Sequence, residues 1–161
     1  LKIEGRGRAA DYVATVIKTY REAIDSYYEG TFTKEKINTW MEALATVYNR
    51  GFWSGYYLGQ KLGEWSDNPG SNATQKKVYV GKGMHYFPKS SIAEFKIEAY
   101  DIKKGDKILI TGPSTGAQEL ILEDFFVNDA TSEKATKGDS CTLKVPFRIR
   151  LSDKMYKIVE N

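Results

Sequence analysis

The feature that most constrains the fold is a change in the spacing of apolar residues near residue 75. Before this point apolar residues recur at helical spacing, and after it they alternate as in half-buried strands. Residues 64–75 lie between the two patterns and are rich in Ser, Asp, Asn, Pro and Gly, which favour loops. The sequence therefore predicts an α+β chain with an N-terminal region at 1–63, a linker at 64–75 and a β domain at 76–161.

The N-terminal region is predicted to contain a helical hairpin. The first helix runs from Ala10 to about Glu29, and Gly30 suits the left-handed position that follows a helix. Thr33 is expected to cap a second helix that ends at about Tyr48. Two helices alone bury little surface, so we expect the hairpin to need a partner surface. Its apolar faces are Val13, Val16, Ile17, Tyr20, Ile24 and Tyr27 on one helix, and Ile37, Trp40, Met41, Leu44, Val47 and Tyr48 on the other.

The β domain is predicted to be a small closed barrel. Six short apolar-alternating segments follow one another at fairly even spacing, which is typical of such barrels. A turn with an Asp precedes a strand three times, at Lys104–Ile108, Lys137–Cys141 and Leu151–Met155. This arrangement is similar to the second domain of translation elongation factors of the Tu type, which implies a six-stranded barrel.

A second resemblance covers the first third of the chain. The runs Lys2–Arg6, Tyr20–Asp25 and Asn49–Phe52 resemble the collagenase-like peptidase family U32. In that family this region follows a TIM-like barrel, so the resemblance implies that the apolar run Leu1–Ile3 is a strand that ends such a barrel. It also implies an N-terminal catalytic domain that precedes this chain, a partner for the hairpin. The implied activity is that of a peptidase, or hydroxylation of RNA or of a quinone with an iron–sulfur cluster. The cysteines for that cluster would lie in the N-terminal domain, so no cofactor is expected in this chain.

The composition limits the redox compartment, the metal sites and the membrane contacts that are expected for this chain. One cysteine permits no internal disulfide and indicates a reducing compartment, so we predict a cytoplasmic protein. One cysteine and one histidine cannot build a structural zinc site. No apolar run has the length of a membrane span, so no membrane partner is expected.

Few residues are candidates for catalysis. Cys141 is a nucleophile or a buried small hydrophobe, and His85 is a base or a surface residue; we favour the second interpretation for both. Glu4 and Arg6 follow the predicted last barrel strand, where TIM barrels place their active sites, so they are candidate barrel-mouth residues. The alternative is that they form an ion pair between the barrel and the next helix. We expect no complete catalytic site in this chain.

The candidate binding residues are basic. Residues 76–161 contain 15 basic and 12 acidic residues, a mild excess that permits weak phosphate contact. Candidate RNA-binding residues are Lys103, Lys104, Arg148 and Arg150, the last two on one face of a predicted strand. Arg50 lies among aromatic residues that form either a stacking platform or a plug between domains.

Together with the family resemblance, these observations predict a non-catalytic region that positions a large substrate, such as a tRNA or rRNA for hydroxylation. The alternatives are recognition of a protein substrate for proteolysis, or a structural module that holds a homo-oligomer together.

Overall fold

The computed structural model describes residues 1–57, 59 and 69–161 and divides the chain into two compact units. Unit 1 comprises Leu1–Lys76 with Asn161, and unit 2 comprises Lys77–Glu160. Residues 64–68 of the predicted linker, and the predicted boundary after residue 63, lie outside the described residues.

Unit 1 contains the predicted helical hairpin. Helix α1 spans Ala10–Tyr28 and helix α2 spans Lys34–Thr46, so α2 ends two residues earlier than the sequence indicates. Trp40 of α2 and Val16 of α1 are buried, whereas many of the other apolar side chains of the hairpin are half exposed. The segment Leu1–Ile3 forms no strand in the described part of the chain. The predicted strand would pair with a barrel that is not part of this chain, so its role as the last strand of that barrel stays a prediction.

Local signals in the sequence determine the ends of the two helices. Gly30 has a φ of +70°, and its N–H donates to the carbonyl of Tyr27 at 3.2 Å. The N–H of Thr31 donates to the carbonyl of Ser26 at 2.8 Å, which completes a Schellman motif. The hydroxyl of Thr33 accepts a hydrogen bond from the N–H of Lys36 at 3.3 Å and caps α2 as predicted.

Unit 2 consists of ten strands. Eight of them form one sheet in the order β5-β4-β10-β1-β2-β9-β6-β7, and β3 pairs with β8. Their bounds are β1 Gln75–Phe87, β2 Ile92–Ile97, β3 Ile102–Lys103, β4 Lys107–Gly112, β5 Gly116–Ile121, β6 Phe125–Val127, β7 Ala130–Ser132, β8 Lys134–Ala135, β9 Ser140–Lys144 and β10 Lys154–Glu160.

The α+β class is confirmed, but the six-stranded closed barrel is not. In the described part of the chain the large sheet has two edges, β5 and β7. The strand count was underestimated because β3, β6, β7 and β8 are two or three residues long, which is too short to show alternation. The likeness to the second domain of elongation factor Tu stays a prediction.

One core holds unit 2 together, and Cys141 lies within it. The buried side chains come from every strand except β5 and β7, and from the segments between strands. The buried members of the core are Val80, Ala93, Phe95, Ile97, Ile102, Ile108, Ile110, Leu122, Phe125, Ala135, Cys141, Leu143, Val145, Ile149 and Met155.

None of the helices that the structure describes is long and apolar enough to cross a membrane.

The three Asp turns noted in the sequence share one geometry. In each turn the carboxylate accepts a hydrogen bond from the backbone N–H three residues earlier, at 2.7 to 2.8 Å. The residue before each Asp has a positive φ of 67° to 99°. The pairs of Asp and donor are Asp106 with Lys103, Asp139 with Thr136, and Asp153 with Arg150. Each turn lies directly before a strand, β4, β9 or β10, so the repeat defines how these strands begin.

Candidate functional site

A cleft of about 780 Å³ lies within unit 1. Its walls are the N-terminal segment, the facing sides of α1 and α2, and the segment 47–54. Among the described residues, five aromatic side chains line the cleft, together with three cationic side chains and one carboxylate. The charged residues are Lys2, Arg8, Arg50 and Glu4, and the aromatic ones are Tyr12, Tyr20, Tyr48, Phe52 and Trp53.

Two guanidinium groups converge on one tyrosine in this cleft. The guanidinium carbon of Arg8 lies 3.8 Å from the centre of the Tyr48 ring. Arg50 donates from Nε to the Tyr48 hydroxyl at 2.9 Å. This hydrogen bond lowers the pKa of Tyr48, and the nearby Arg8 contributes in the same direction. The cluster Arg8–Tyr48–Arg50 is therefore a concentration of positive charge on an aromatic ring.

The sequence around Asn49 positions Arg50. The Asn49 side-chain amide donates to the carbonyls of Ala45 at 3.3 Å and Val47 at 3.0 Å, at the end of α2. Its oxygen accepts from the N–H of Gly51 at 3.1 Å, and Gly51 has a φ of +93°. Because a left-handed residue follows it directly, Arg50 is held in a tight turn at the cleft wall.

Arg8 is a residue that the sequence reasoning missed. Its N–H donates to the carbonyl of Gly5 at 3.1 Å, which closes a turn just before α1. The guanidinium also lies 5.8 Å from the centre of the Tyr12 ring. An Arg and a Tyr four residues apart at a helix start could have signalled the second contact. The contact with Tyr48 joins residues that are distant in sequence, so no local pattern indicates it.

Glu4 and Arg6 do not form an ion pair with each other, and the alternative interpretation, an ion pair between the barrel and the next helix, stays a prediction. The Glu4 carboxylate instead accepts from the backbone N–H of Arg6 at 2.7 Å. Both side chains are exposed, and in the described part of the chain the Arg6 guanidinium pairs with no carboxylate. Glu4 lines the cleft and Arg6 does not. A role of either residue in catalysis stays a prediction.

The four basic candidates of unit 2 do not form one surface patch. Lys103 is the last residue of β3, and Lys104 lies in the turn before β4. Arg148 lies near the other end of that strand, because its carbonyl accepts from the hydroxyl of Thr115 at 3.5 Å, three residues after β4 ends. A strand of this length spans roughly 17 Å. The structure therefore separates the lysine pair from the arginine pair.

Arg148 and Arg150 are not on a strand. They belong to an irregular segment between β9 and β10, so this part of the prediction is wrong. The exposure pattern is nevertheless the expected one, since both arginines are exposed and Ile149 between them is buried. Asp153 accounts for the irregular backbone: its buried carboxylate accepts from the N–H of Arg150 at 2.8 Å and from the hydroxyl of Thr115.

Ion pairs neutralise many of the lysines in unit 2. Lys104 lies 2.5 Å from Asp124, whose hydrogen bond raises the pKa of the Lys104 ammonium. In the part of the chain that the structure describes, Lys103, Arg148 and Arg150 are exposed and make no ion pair. These three residues therefore carry charge that is available to a ligand, unlike Lys104, and so do the exposed Lys89, Lys137, Lys144 and Lys154. The other paired lysines are Lys82 with Glu98, Lys107 with Glu119, Lys134 with Asp101, and Lys157 with Asp106.

Cys141 and His85 do not form a catalytic pair. Burial raises the pKa of the Cys141 thiol to about 12, so the thiolate needed for nucleophilic attack is not formed near neutral pH. His85 is exposed on β1, opposite Glu94 of β2, with its ring 4.4 Å from that of Phe87. No group of three metal-ligating side chains occurs among the described residues.

Comparisons with known proteins agree with the resemblance to the collagenase-like peptidase family U32. Residues 1–67 match the family model described as peptidase family U32. A protein of Porphyromonas gingivalis named collagenase is 51% identical over 156 residues, which are 97% of this chain and 38% of that protein. The tRNA hydroxylation protein P1 of Bacillus subtilis is 30% identical over 139 residues, which are 85% of this chain and 32% of that protein. A crystal structure of the C-terminal domain of a U32 peptidase from Geobacillus thermoleovorans aligns with a TM-score of 0.46 and 19% identity, over 48% of this chain and 96% of that one.

Residues 1–67 therefore belong to peptidase family U32, as the motifs Lys2–Arg6 and Asn49–Phe52 predicted. The chain spans 38% and 32% of the lengths of the two relatives named above. The activities of those whole proteins are accordingly not established for this chain by similarity.

Proposed function

We propose that this chain is a non-catalytic region of a U32-family protein and that it positions RNA for an N-terminal catalytic domain with a TIM-like barrel. Similarity to a tRNA hydroxylation protein supports RNA as the substrate class. The observation that carries the proposal is the pair Arg148 and Arg150, which lie two residues apart, are exposed and make no ion pair in the described part of the chain. A cytoplasmic location is part of the same proposal.

The arginine pair is held on a rigid base. Ile149 is buried in the core between the two arginines, and Asp153 holds the backbone of Arg150. Only the side chains remain to be ordered on binding, which lowers the entropic cost of phosphate contact. Two guanidinium groups at fixed spacing suit the phosphate oxygens of a nucleic acid backbone.

The catalytic group belongs elsewhere in this proposal. An iron–sulfur cluster requires several cysteine ligands, and this chain has one cysteine, which is buried. The residues of this chain therefore do not fit such a cluster, and we derive no reaction step from it. We expect the chain alone to hydrolyse neither denatured collagen nor casein; hydrolysis that is lost on Cys141→Ala or His85→Ala would contradict this.

Binding of structured RNA at low and high salt tests the proposal. We expect dissociation constants of about a micromolar or weaker and a loss of affinity as salt rises, because the contacts are to phosphates. The double change Arg148→Ala/Arg150→Ala should weaken binding and reduce the slope of log affinity against log salt by about 0.7 to 0.9 per lost contact. The matched control, Lys107→Ala/Lys134→Ala, removes two cations that are already paired. An RNA affinity that does not change with salt concentration, or equal effects of the two double changes, would contradict the proposal.

The second candidate is a protein-binding module, either for a protein substrate or for a second copy of the chain. The 51% identity to a protein named collagenase favours it. Binding of denatured collagen, or self-association in sedimentation experiments, should then persist at high salt because apolar contacts are not screened. RNA binding that disappears at high salt while the chain stays monomeric would exclude this candidate.

A further inference from the structure

We propose that the cleft of unit 1 is a nucleotide-binding site, with the phosphate held by Arg8 and Arg50 and the base stacked on the aromatic wall at Phe52 and Trp53. The site lies entirely within unit 1. It does not depend on RNA contact by Arg148 and Arg150 in unit 2.

The arrangement of charges in the cleft favours the binding of an anion. Arg8 and Arg50 both contact Tyr48, and Lys2 lines the same cleft. Across the described residues, neither arginine forms an ion pair with a carboxylate. Among the described residues, Glu4 is the one carboxylate that lines the cleft, and it accepts a hydrogen bond from the Arg6 backbone. Like charges held this close repel each other, and a bound anion would relieve that repulsion.

The geometry of the two arginines suits a phosphate. Arg50 uses Nε for the Tyr48 hydroxyl, which fixes the plane of the guanidinium and leaves its terminal N–H groups for a ligand. Arg8 lies over the face of the same ring, a position in which a guanidinium can still donate hydrogen bonds. Two forked donors with fixed positions can bind several oxygens of one phosphate.

The aromatic residues of the cleft suit a nucleobase. Phe52 is 47% exposed and Trp53 is 40% exposed, and both line the cleft. The Trp53 ring packs edge-on against Tyr56 with 4.9 Å between ring centres, so its orientation is held. Bases stack on such rings with little dependence on sequence. The volume of about 780 Å³ is within the range of small-molecule sites and accommodates a nucleotide.

Titration of the whole chain with uridine monophosphate, inorganic phosphate and uridine tests the site. Calorimetry gives the affinity, and tryptophan fluorescence reports stacking on Trp53. We expect the nucleotide to bind at least tenfold more tightly than phosphate or uridine alone, because it uses both halves of the site. Arg8→Gln/Arg50→Gln should reduce nucleotide affinity at least tenfold. The control Arg21→Gln changes an exposed arginine of α1 that pairs with Asp25 outside the cleft, and it should have no effect.

A second variant guards against loss of folding. Tyr48→Phe keeps the ring and removes the hydroxyl that holds Arg50, so it should weaken nucleotide binding less than the double change does, without altering the circular dichroism spectrum. Absence of nucleotide binding, equal affinity for phosphate and nucleotide, or equal loss in the Arg21→Gln control would overturn the proposal.

A single-stranded oligonucleotide shows whether the natural ligand is a free nucleotide or part of an RNA chain. If the oligonucleotide binds more tightly than the monophosphate, and this binding is lost in Arg8→Gln/Arg50→Gln, the ligand is a nucleotide within RNA. Equal affinities identify a free nucleotide.

The proposed function and the proposed cleft site can be contradicted independently of each other. Loss of RNA binding only in Arg148→Ala/Arg150→Ala, with no monophosphate bound by the unmodified chain, supports the proposed function and overturns the cleft.

Discussion

The two units of this chain are ordered by different kinds of interaction. In the described part of unit 1, Val16 and Trp40 are the apolar side chains that are buried, and neighbours such as Ile17 remain half exposed. Unit 2 buries a continuous set of apolar side chains from its strands. Since burial of apolar surface is the main favourable term in folding, unit 2 should hold its structure more strongly than unit 1.

Unit 1 compensates with hydrogen bonds at its helix ends. The Lys36 ammonium donates to the hydroxyls of Ser26 at 3.0 Å and Thr31 at 2.8 Å, and so connects the start of α2 to the end of α1. Such bonds determine where helices end, but each contributes only about 0.5–1.5 kcal/mol to stability. The hairpin is therefore well defined in geometry and weak in burial.

The largest expected effect is a difference between the two units in how often they unfold locally. Cys141 is the single cysteine of the chain and is buried in unit 2, with the pKa of its thiol raised to about 12. We expect a thiol reagent to modify it on the order of a thousandfold more slowly than in the denatured chain. Backbone amides of α1 and α2 should exchange hydrogen faster than those of β2 and β9. Rapid modification of Cys141, or equal protection of both units, would contradict the comparison.

Removal of one aromatic ring from each unit gives the next largest effect. Phe95→Ala removes a fully buried ring of β2 and should lower the free energy of unfolding of unit 2 by about 3–5 kcal/mol. Tyr20→Ala removes a ring of α1 that is already 42% exposed, so its effect on unit 1 should be much smaller. Urea denaturation followed by far-ultraviolet circular dichroism measures both. Equal losses would mean that the two units share one stability.

The sequence predicted those features that depend on neighbouring residues. Gly30 and Thr33 determine helix ends through bonds that reach a few residues, so both were recognised. The three Asp turns were recognised for the same reason. The contact between Arg8 and Tyr48 joins a residue before α1 to a residue after α2, and only the folded chain brings them together. The separation of Lys104 from Arg148 likewise depends on strand pairing.

Removal of the turn carboxylate should cost more stability in the turn where that carboxylate is buried than in the turn where it is more exposed. Asp153→Ala removes a carboxylate that is 2% exposed, leaves the Arg150 N–H without its acceptor and leaves the Thr115 hydroxyl with only its longer contact to the Arg148 carbonyl. We expect a loss of about 1.5–3 kcal/mol in the free energy of unfolding. Asp139→Ala removes the same backbone bond in a more exposed turn and should cost less, since water can replace the acceptor. Thermal denaturation of both variants measures the difference, and a larger loss for Asp139→Ala would refute this reading.

The helix cap of unit 1 should have an effect of about 1 kcal/mol. Thr33→Ala removes the acceptor for the Lys36 N–H at the start of α2. We expect faster amide exchange in α2 and no change in the rate of Cys141 modification, because the cysteine lies in the other unit. Thr33→Ser keeps the acceptor and serves as the control. A slower or faster reaction of Cys141 in Thr33→Ala would show that the units open together.

The smallest expected effect is a gain in stability at the third turn. Gly105 and Gly138 precede their Asp with positive φ, as does Ser152 at +67°, where a side chain is strained. Ser152→Gly should relieve this strain and raise the free energy of unfolding by a few tenths to about 1 kcal/mol, reduced by the greater freedom of glycine in the unfolded chain. Gly105→Ala introduces the same strain in the first turn and should lower stability by a similar amount. Denaturant titration of the two variants measures opposite shifts, and shifts of the same sign would show that the three turns are not equivalent.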